Sequence, residues 1–292
     1  MTTAPAQRKP SDYKSDLKPI WCPGCGDFGV LASLYRAFAE LDLDPTNTVV
    51  VSGIGCSSRL PGFVTTYGVH TLHGRPLPVA MGVKLANPEL TVIAVGGDGD
   101  GFAIGAGHFP HAARRNIDVT YLVMDNEIYG LTKGQASPTS LTDQKAPTTP
   151  WGNLETPLNT LAFAIASNAS FVARGASFNT KALTELIVQA IEHKGFSYID
   201  ALSPCVMFNN KQEAWKELVT DVEPDHNPAD RTGAFDLALR GGFQLGILYR
   251  ELRPTLDDKY AALIERTPDS DIVAMMDSFS ARKGTAIGKP VV

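Results

Sequence analysis

The fold is decided by the stretch Thr91-Val92-Ile93-Ala94-Val95-Gly96-Gly97-Asp98-Gly99-Asp100-Gly101-Phe102-Ala103-Ile104-Gly105-Ala106-Gly107, with its sequel Val119-Thr120-Tyr121-Leu122-Val123-Met124 and Asp125-Asn126-Glu127-Ile128-Tyr129-Gly130. The first apolar run is short, β-branched and bounded by glycine, which fits a buried parallel strand better than a helix. The glycines let the backbone turn sharply and approach a ligand. A helix starting after such a loop offers free N–H groups to a phosphate. Two carboxylates beside a phosphate would repel it unless a divalent cation lies between them. Mg²⁺ takes oxygen ligands from one or two protein groups plus phosphate. Asp98 supplies a carboxylate and Asn126, at the end of the next strand, an amide oxygen. Both strand ends fall on one edge of a parallel sheet, where such folds bind ligands.

Two common motifs are excluded. A dinucleotide fingerprint from Gly97 finds Gly99 and then Phe102 where glycine is required, and no P-loop string occurs. Gly97-Asp98-Gly99 followed by Asn126 does resemble the thiamine diphosphate signature. It departs from that pattern at Asp125, where a double asparagine is usual.

Outward from this stretch, strands and helices alternate. A helix carries Val30, Leu31, Leu34, Tyr35, Phe38 and Leu41, and Asp44-Pro45 ends it. Thr48–Ser52 reads as a strand running into a second glycine loop, Gly53-Ile54-Gly55-Cys56-Ser57-Ser58-Arg59. A polar and aromatic passage, 67–75, holds His70 and His73. A helix is expected over Pro76–Ala86. Residues 136–154 form a long Pro-, Thr- and Ser-rich loop that either covers the site or simply connects. Thr156-Pro157 looks like a helix start, Phe171–Arg174 a strand, and Thr180 the cap of a helix ended by Gly195. Phe196–Leu202 is a last strand, leading to Ser203-Pro204-Cys205. This alternation implies a doubly wound, mainly parallel α/β sheet over residues 20–205. Residues 1–19 read as a loose arm, and residues 206–292 as a C-terminal extension that docks on a partner.

The composition is that of an ordinary globular protein: 292 residues, 43% hydrophobic, 20% charged, net charge −5. No basic run argues for nucleic acid. No apolar stretch approaches a membrane span, and the N-terminus lacks the apolar core of a signal peptide. A cytoplasmic protein is expected, so its four cysteines should not form disulfides.

Those cysteines, Cys22, Cys25, Cys56 and Cys205, all sit in Gly- or Pro-containing loops. Four thiolates suit zinc or a [4Fe–4S] cluster. Structural zinc usually uses two close pairs, whereas only Cys22 and Cys25 are close here. Metal-free buried thiols are the third reading.

Taken together, the motifs resemble the β subunit of 2-oxoacid:ferredoxin oxidoreductases. The matching pieces are Trp-Cys-Pro-Gly-Cys-Gly at 21–26, Gly-Ile-Gly-Cys-Ser-Ser-Arg at 53–59, His-Thr-Leu-His-Gly-Arg at 70–75, Gly-Gly-Asp-Gly-Asp at 96–100, Asp-Asn-Glu-Ile-Tyr-Gly-Leu-Thr-Lys-Gly-Gln at 125–135 and Ser-Pro-Cys at 203–205. The loop after Asn126 looks most like the 2-oxoglutarate-using (2-oxoglutarate synthase) members. The resemblance implies a thiamine diphosphate-binding fold. It implies one [4Fe–4S] cluster on Cys22, Cys25, Cys56 and Cys205, and Mg²⁺ on Asp98, Asn126 and the carbonyl of Ile128. Thiamine diphosphate would contact Ile54, Gly55, Cys56, Ser57, His73, Gly99, Asp100, Gly130 and Leu131. The implied reaction is the coenzyme A-dependent oxidative decarboxylation of 2-oxoglutarate to succinyl-CoA and CO₂, or its reverse. Electrons would leave through the cluster to a separate ferredoxin, because no ferredoxin-type cysteine run is present. Pyruvate or a broad range of 2-oxoacids is the alternative substrate. A non-redox thiamine decarboxylase half and a zinc-stabilised module are the competing classes.

Arg59 is suited to pair with a substrate carboxylate, or is a surface arginine; His73 is the histidine read as functional. His108 and His111, three apart, fit packing better than a metal. Trp21 and Tyr129 read as packing. No motif identifies the glutamate that thiamine enzymes use at the aminopyrimidine. In the resembled family the α subunit provides it. The chain alone is therefore expected to be inactive, with the cofactor at an αβ interface, in a dimer of αβ units.

Overall fold

A computed structural model describes residues 7–266. Residues 1–6 of the expected arm and 267–292 of the expected extension lie outside the described residues. The chain divides into a unit running to Asp257, which holds the sheet and the site, and a unit beginning at Asp258.

The strands are β1 (Thr48–Ser52), β2 (Tyr67–His70), β3 (Thr91–Gly97), β4 (Val119–Asp125), β5 (Phe171–Ala176), β6 (Phe196–Leu202), β7 (Val219–Asp221) and β8 (Phe243–Arg250). They form one eight-stranded sheet in the order β2-β1-β3-β4-β6-β5-β8-β7. All pairs from β2 to β5 are parallel; β8 runs antiparallel to β5, and β7 is parallel to β8.

Side chains alternate between the two faces. Val49, Val51, Val92, Ala94, Tyr121 and Val123 point into one core, while Val50, Ile93, Val95, Leu122 and Met124 point into the other. Both faces are covered, so β1 and β4 are buried along their whole length and read in sequence as unbroken apolar runs. Helices α1 (Asp27–Glu40) and α5 (Thr180–Glu192) cover one face. Helices α2 (Pro76–Ala86), α3 (Phe109–Arg115), α4 (Thr160–Ala166) and α7 (Arg231–Leu239) cover the other. Helix α6 (Gln212–Leu218) seats Trp215 in a third cluster with Ala176, Leu202 and Leu245. Helix α8 spans Leu256–Arg266.

Several boundaries differ from the sequence reading. Helix α4 begins at Thr160, not after Thr156-Pro157, because Asn159 provides the cap by accepting from Ala162 N at 3.0 Å. Asn179 rather than Thr180 caps α5. The helix expected after the glycine loop of 96–101 is a π-turn over Asp100–Ile104 and a 3-10 turn before α3. The passage read as polar and aromatic contains β2. Beyond Cys205 the chain returns to the sheet through β8. The arm is held where it is described: Tyr13 is fully buried and its hydroxyl donates to Leu43 O at 2.7 Å.

Candidate functional site

In sheet order β1, β3, β4 and β6 are consecutive and parallel. Their C-terminal ends therefore lie side by side, and each leads into a loop with one of the residues singled out: Cys56 after β1, Asp98 after β3, Asn126 after β4, Cys205 after β6. Cys22 and Cys25 precede α1 and join the same edge, where Gly26 N donates to Pro204 O at 3.2 Å and Ser203 Oγ to Asp27 Oδ1 at 2.6 Å.

Two hollows open on this edge. The first has an empty volume of ≈ 470 Å³ and includes Asp98, Gly99, Asp100, Asn126 and Ile128 in its lining. Ile54, Gly55, Cys56, Ser57, His73, Gly130 and Leu131 complete the set of expected cofactor-contacting residues, all on this lining. Asp98 is 1% exposed, and burial raises its carboxyl to about 6 against the opposing help of the Ser137 and Thr139 hydroxyls. Thr139 Oγ1 donates to Asp98 Oδ2 at 2.8 Å, and Asn126 N to Asp98 Oδ1 at 3.4 Å. Asn126 Oδ1 accepts from Ile128 N at 3.0 Å, which closes a tight turn. Carboxylate, amide and carbonyl oxygens are hard donors, and a buried carboxylate is favoured by a cation beside it. The residues thus fit a divalent cation, with a diphosphate in front of it.

Two glycines at this edge, Gly99 and Gly53, are required by contact. A Cβ at Gly99 would stand 2.2 Å from the Tyr129 ring, whose hydroxyl donates to Gly99 O at 3.2 Å. A Cβ at Gly53 would stand 1.8 Å from Asp100 Oδ2. Asp100 uses its other oxygen to hold two loops, accepting from Ile54 N at 2.9 Å and Gly74 N at 2.8 Å. Burial raises its carboxyl, and His73, with Nδ1 3.0 Å from Oδ1, acts against that.

The second hollow, ≈ 760 Å³ of empty volume, has all four cysteines in its lining, together with Arg59, Trp21 and Lys133. Burial raises the Cys25 thiol strongly and that of Cys56 to about 11. Trp21 packs edge-on against Phe28 and Phe63, and its Nε1 donates to Cys56 O at 2.6 Å, so it holds the Cys56 loop. Among the described residues no three His, Cys, Asp or Glu side chains converge on a point where one ion would bind. Four thiols around one cavity fit a cuboidal iron–sulfur cluster, whose ligands surround a volume, better than a single tetrahedral ion. The hollows share Cys56, Asn126, Gly130 and Leu131. At Gly130 a Cβ would lie 3.4 Å from Cys205 Sγ and 3.8 Å from Cys56 Sγ.

Arg59 lies with the cysteines and not on the lining of the Asp98 hollow. His111 accepts from Arg114 Nε at 3.3 Å, and His108 has its pKa lowered by burial, away from both hollows. Sequence reasoning missed the residues that brace the site. From the 136–154 loop, Ser140 Oγ donates to Glu127 O at 2.5 Å. Lys211 Nζ reaches Glu127 Oε2 at 2.7 Å and Gln144 Oε1 at 2.8 Å. The one signal for them is the density of hydroxyl residues in Ser137-Pro138-Thr139-Ser140. Among the described residues no helix is long and apolar enough to cross a membrane.

Two family descriptions match the chain. The C-terminal TPP-binding domain of thiamine pyrophosphate enzymes matches residues 53–201, and the C-terminal region of the pyruvate ferredoxin oxidoreductase beta subunit matches residues 205–265. The 2-oxoacid:ferredoxin oxidoreductase 1 subunit beta of Aeropyrum pernix is 44% identical over 91% of this chain and 88% of its own length. The 2-oxoglutarate synthase subunit KorB of Archaeoglobus fulgidus is 45% identical over 67% of this chain and 73% of its own. A solved structure, 2-oxoglutarate:ferredoxin oxidoreductase from Magnetococcus marinus with 2-oxoglutarate, coenzyme A and succinyl-CoA bound, superposes with TM-score 0.90 at 46% identity, covering 93% of this chain and 96% of that one. With a shared doubly wound sheet and identity sustained over nine-tenths of the sequence, this chain belongs to the β subunits of the 2-oxoacid:ferredoxin oxidoreductases.

Proposed function

We propose that the chain is the β half of a 2-oxoglutarate:ferredoxin oxidoreductase, converting 2-oxoglutarate, coenzyme A and oxidised ferredoxin to succinyl-CoA, CO₂ and reduced ferredoxin, or the reverse. The observation that carries this reading is the shared wall: Cys56, Asn126, Gly130 and Leu131 border both the Asp98 hollow and the four-cysteine hollow. When bound, thiamine diphosphate supplies an electron sink for decarboxylation and an iron–sulfur cluster a one-electron path out.

The residues of this chain bind and orient. Asp98, the Asn126 side chain and the Ile128 carbonyl would hold Mg²⁺, whose charge would offset that of the diphosphate. Asp100 keeps the Ile54 and Gly74 loops at their spacing, so that Ile54–Ser57 and His73 face the cofactor. Cys22, Cys25, Cys56 and Cys205 hold one [4Fe–4S] cluster, and Arg59, beside them, offers a guanidinium to a carboxylate. An α subunit supplies the acid that no motif of this chain identifies, with the cofactor at an interface in a cytoplasmic αβ assembly. The 2-oxoglutarate synthase relatives and the 2-oxoglutarate-bound neighbour support that substrate. The relatives named only for 2-oxoacids support a broader one.

Iron and acid-labile sulfide in anaerobically purified complex test the reading. About four of each per β chain are expected for a single [4Fe–4S] cluster. Ferredoxin reduction is then compared with 2-oxoglutarate and pyruvate. Zinc in place of iron would remove the electron path, and pyruvate preference would overturn the substrate.

A further inference from the structure

We propose that the Thr139 hydroxyl is a positioning group that fixes Asp98 in the orientation from which its carboxylate takes the divalent cation. The inference rests on the reading of the Asp98–Asn126 hollow as a cation and diphosphate site.

Thr139 does not line that hollow. It stands behind it, on the loop between β4 and α4, 5% exposed. Its Oγ1 lies 2.8 Å from Asp98 Oδ2 and 3.0 Å from Asp125 Oδ1. A hydroxyl carries one proton and serves one acceptor at a time. Asp125 Oδ1 already accepts from Glu127 N at 3.0 Å, whereas the hydrogen bond from Asn126 N to Asp98 Oδ1 is long at 3.4 Å. The Thr139 proton is therefore worth more to Asp98. With the Ser137 hydroxyl it favours the Asp98 carboxylate, and it occupies Oδ2, leaving Oδ1, held only by the long Asn126 N–H bond, for the cation.

The segment around Thr139 is itself fastened. Ser137 Oγ lies 3.2 Å from Thr139 Oγ1, Ser140 Oγ donates to Glu127 O at 2.5 Å, and Leu158 N donates to Pro138 O at 2.7 Å. The hydroxyl is thus presented on a braced turn tied to the strand end that carries Asn126. Groups that hydrogen-bond a metal-ligating carboxylate from behind fix its orientation, and removing them costs about 10- to 100-fold in metal affinity. The loop after Gln135 consequently contributes to cation binding without touching the cation.

The test uses the complex of this chain with its partner, stripped of metal and thiamine diphosphate by chelation and dialysis. Mg²⁺ is titrated calorimetrically at saturating thiamine diphosphate. Thr139→Val keeps the shape and removes the proton; it is expected to weaken Mg²⁺ binding by about 10-fold or more. Thr139→Ser keeps the hydroxyl and is expected to bind as the wild type does. Iron content and the thermal midpoint of the metal-free complex are followed in parallel, and a fall in affinity with both unchanged is the signature of positioning. Wild-type affinity in Thr139→Val, or equal weakening in Thr139→Ser, would overturn the proposal, the latter by assigning the effect to packing. Should Thr139→Val fail to assemble, Thr139→Ala takes its place with the same two outcomes. If the wild-type complex binds no Mg²⁺ with thiamine diphosphate, the reading of the hollow falls and the proposal with it.

Discussion

Asn209 Nδ2 donates to the carbonyl of Asn126 at 2.8 Å, while the Asn209 backbone N–H donates to the carbonyl of Cys205 at 3.0 Å. One residue, 7% exposed, thereby fastens the turn of the proposed cation site to the loop of a proposed cluster ligand. Asn209→Ala leaves the Asn126 carbonyl without that donor. A loss of about 1–3 kcal/mol is expected, read as a lowered denaturation midpoint, together with weakened Mg²⁺ binding. An unchanged midpoint would mean that water or a neighbour replaces the amide.

Lys211 reinforces the same connection through Glu127, whose carboxylate is nearly buried. Glu127 also sits at φ 55°, in the left-handed region. Lys211→Met strands a buried negative charge. Because the lysine itself keeps some solvent contact, the expected cost is about 1–3 kcal/mol, below that of a fully buried pair. Urea denaturation of Lys211→Met beside Lys211→Met/Glu127→Gln checks the cause: the second substitution should restore much of the loss.

Gly130 permits a cleaner separation of folding from cofactor chemistry. Its φ is not positive, and an added methyl would meet the two sulfurs at ordinary or slightly tight contact. Gly130→Ala should leave thermal stability within about 0.5 kcal/mol of the wild type while altering the electron paramagnetic resonance spectrum of the reduced cluster. A wild-type spectrum would show that the cluster does not reach this wall.

His193 gives a pH dependence. Burial lowers its pKa to about 4, and its Nε2 lies 2.8 Å from Ser170 Oγ. The folded state resists a proton that the unfolded chain accepts near pH 6.5. Its contribution is therefore complete above that pH and is lost as pH falls from 6.5 toward 4, by roughly 3 kcal/mol in all. Asp27 and Asp98, both raised to about 6 by burial, change stability in the opposite sense over overlapping pH. Comparison with His193→Gln at each pH cancels them. Parallel stability–pH curves for the two proteins would refute the assignment.

The central strands were legible because two-sided burial leaves an unbroken apolar run, as in Val49-Val50-Val51, with glycine or proline marking the ends. That Asp98, Asn126, Cys56 and Cys205 share one edge was legible because each follows a parallel strand, and the carboxyl ends of such strands lie together. The start of α4 was not, since Pro157 and Asn159 are both plausible openings and only packing selects the second. Strand β8 was hidden for another reason. It is partly exposed, follows Gly241-Gly242 and is interrupted by Gly246 at φ 133°, so neither a continuous nor an alternating pattern survives. Thr139, Asn209 and Lys211 act through contacts made far along the chain, and local pattern carries no record of those.

Strand β8 has one more consequence. Because it runs against β5, its last residue, Arg250, pairs with Phe171 at the beginning of that strand. The chain then stays at that end, where Glu251 N donates to Ser170 O and Asp118 N to Asp257 Oδ2. Asp257 therefore lies at the pole of the sheet opposite the two hollows. A strand of seven residues such as β6 separates the poles by about 23 Å. A fluorescent reporter attached at Asp257 itself would sit a full strand length from the chemistry.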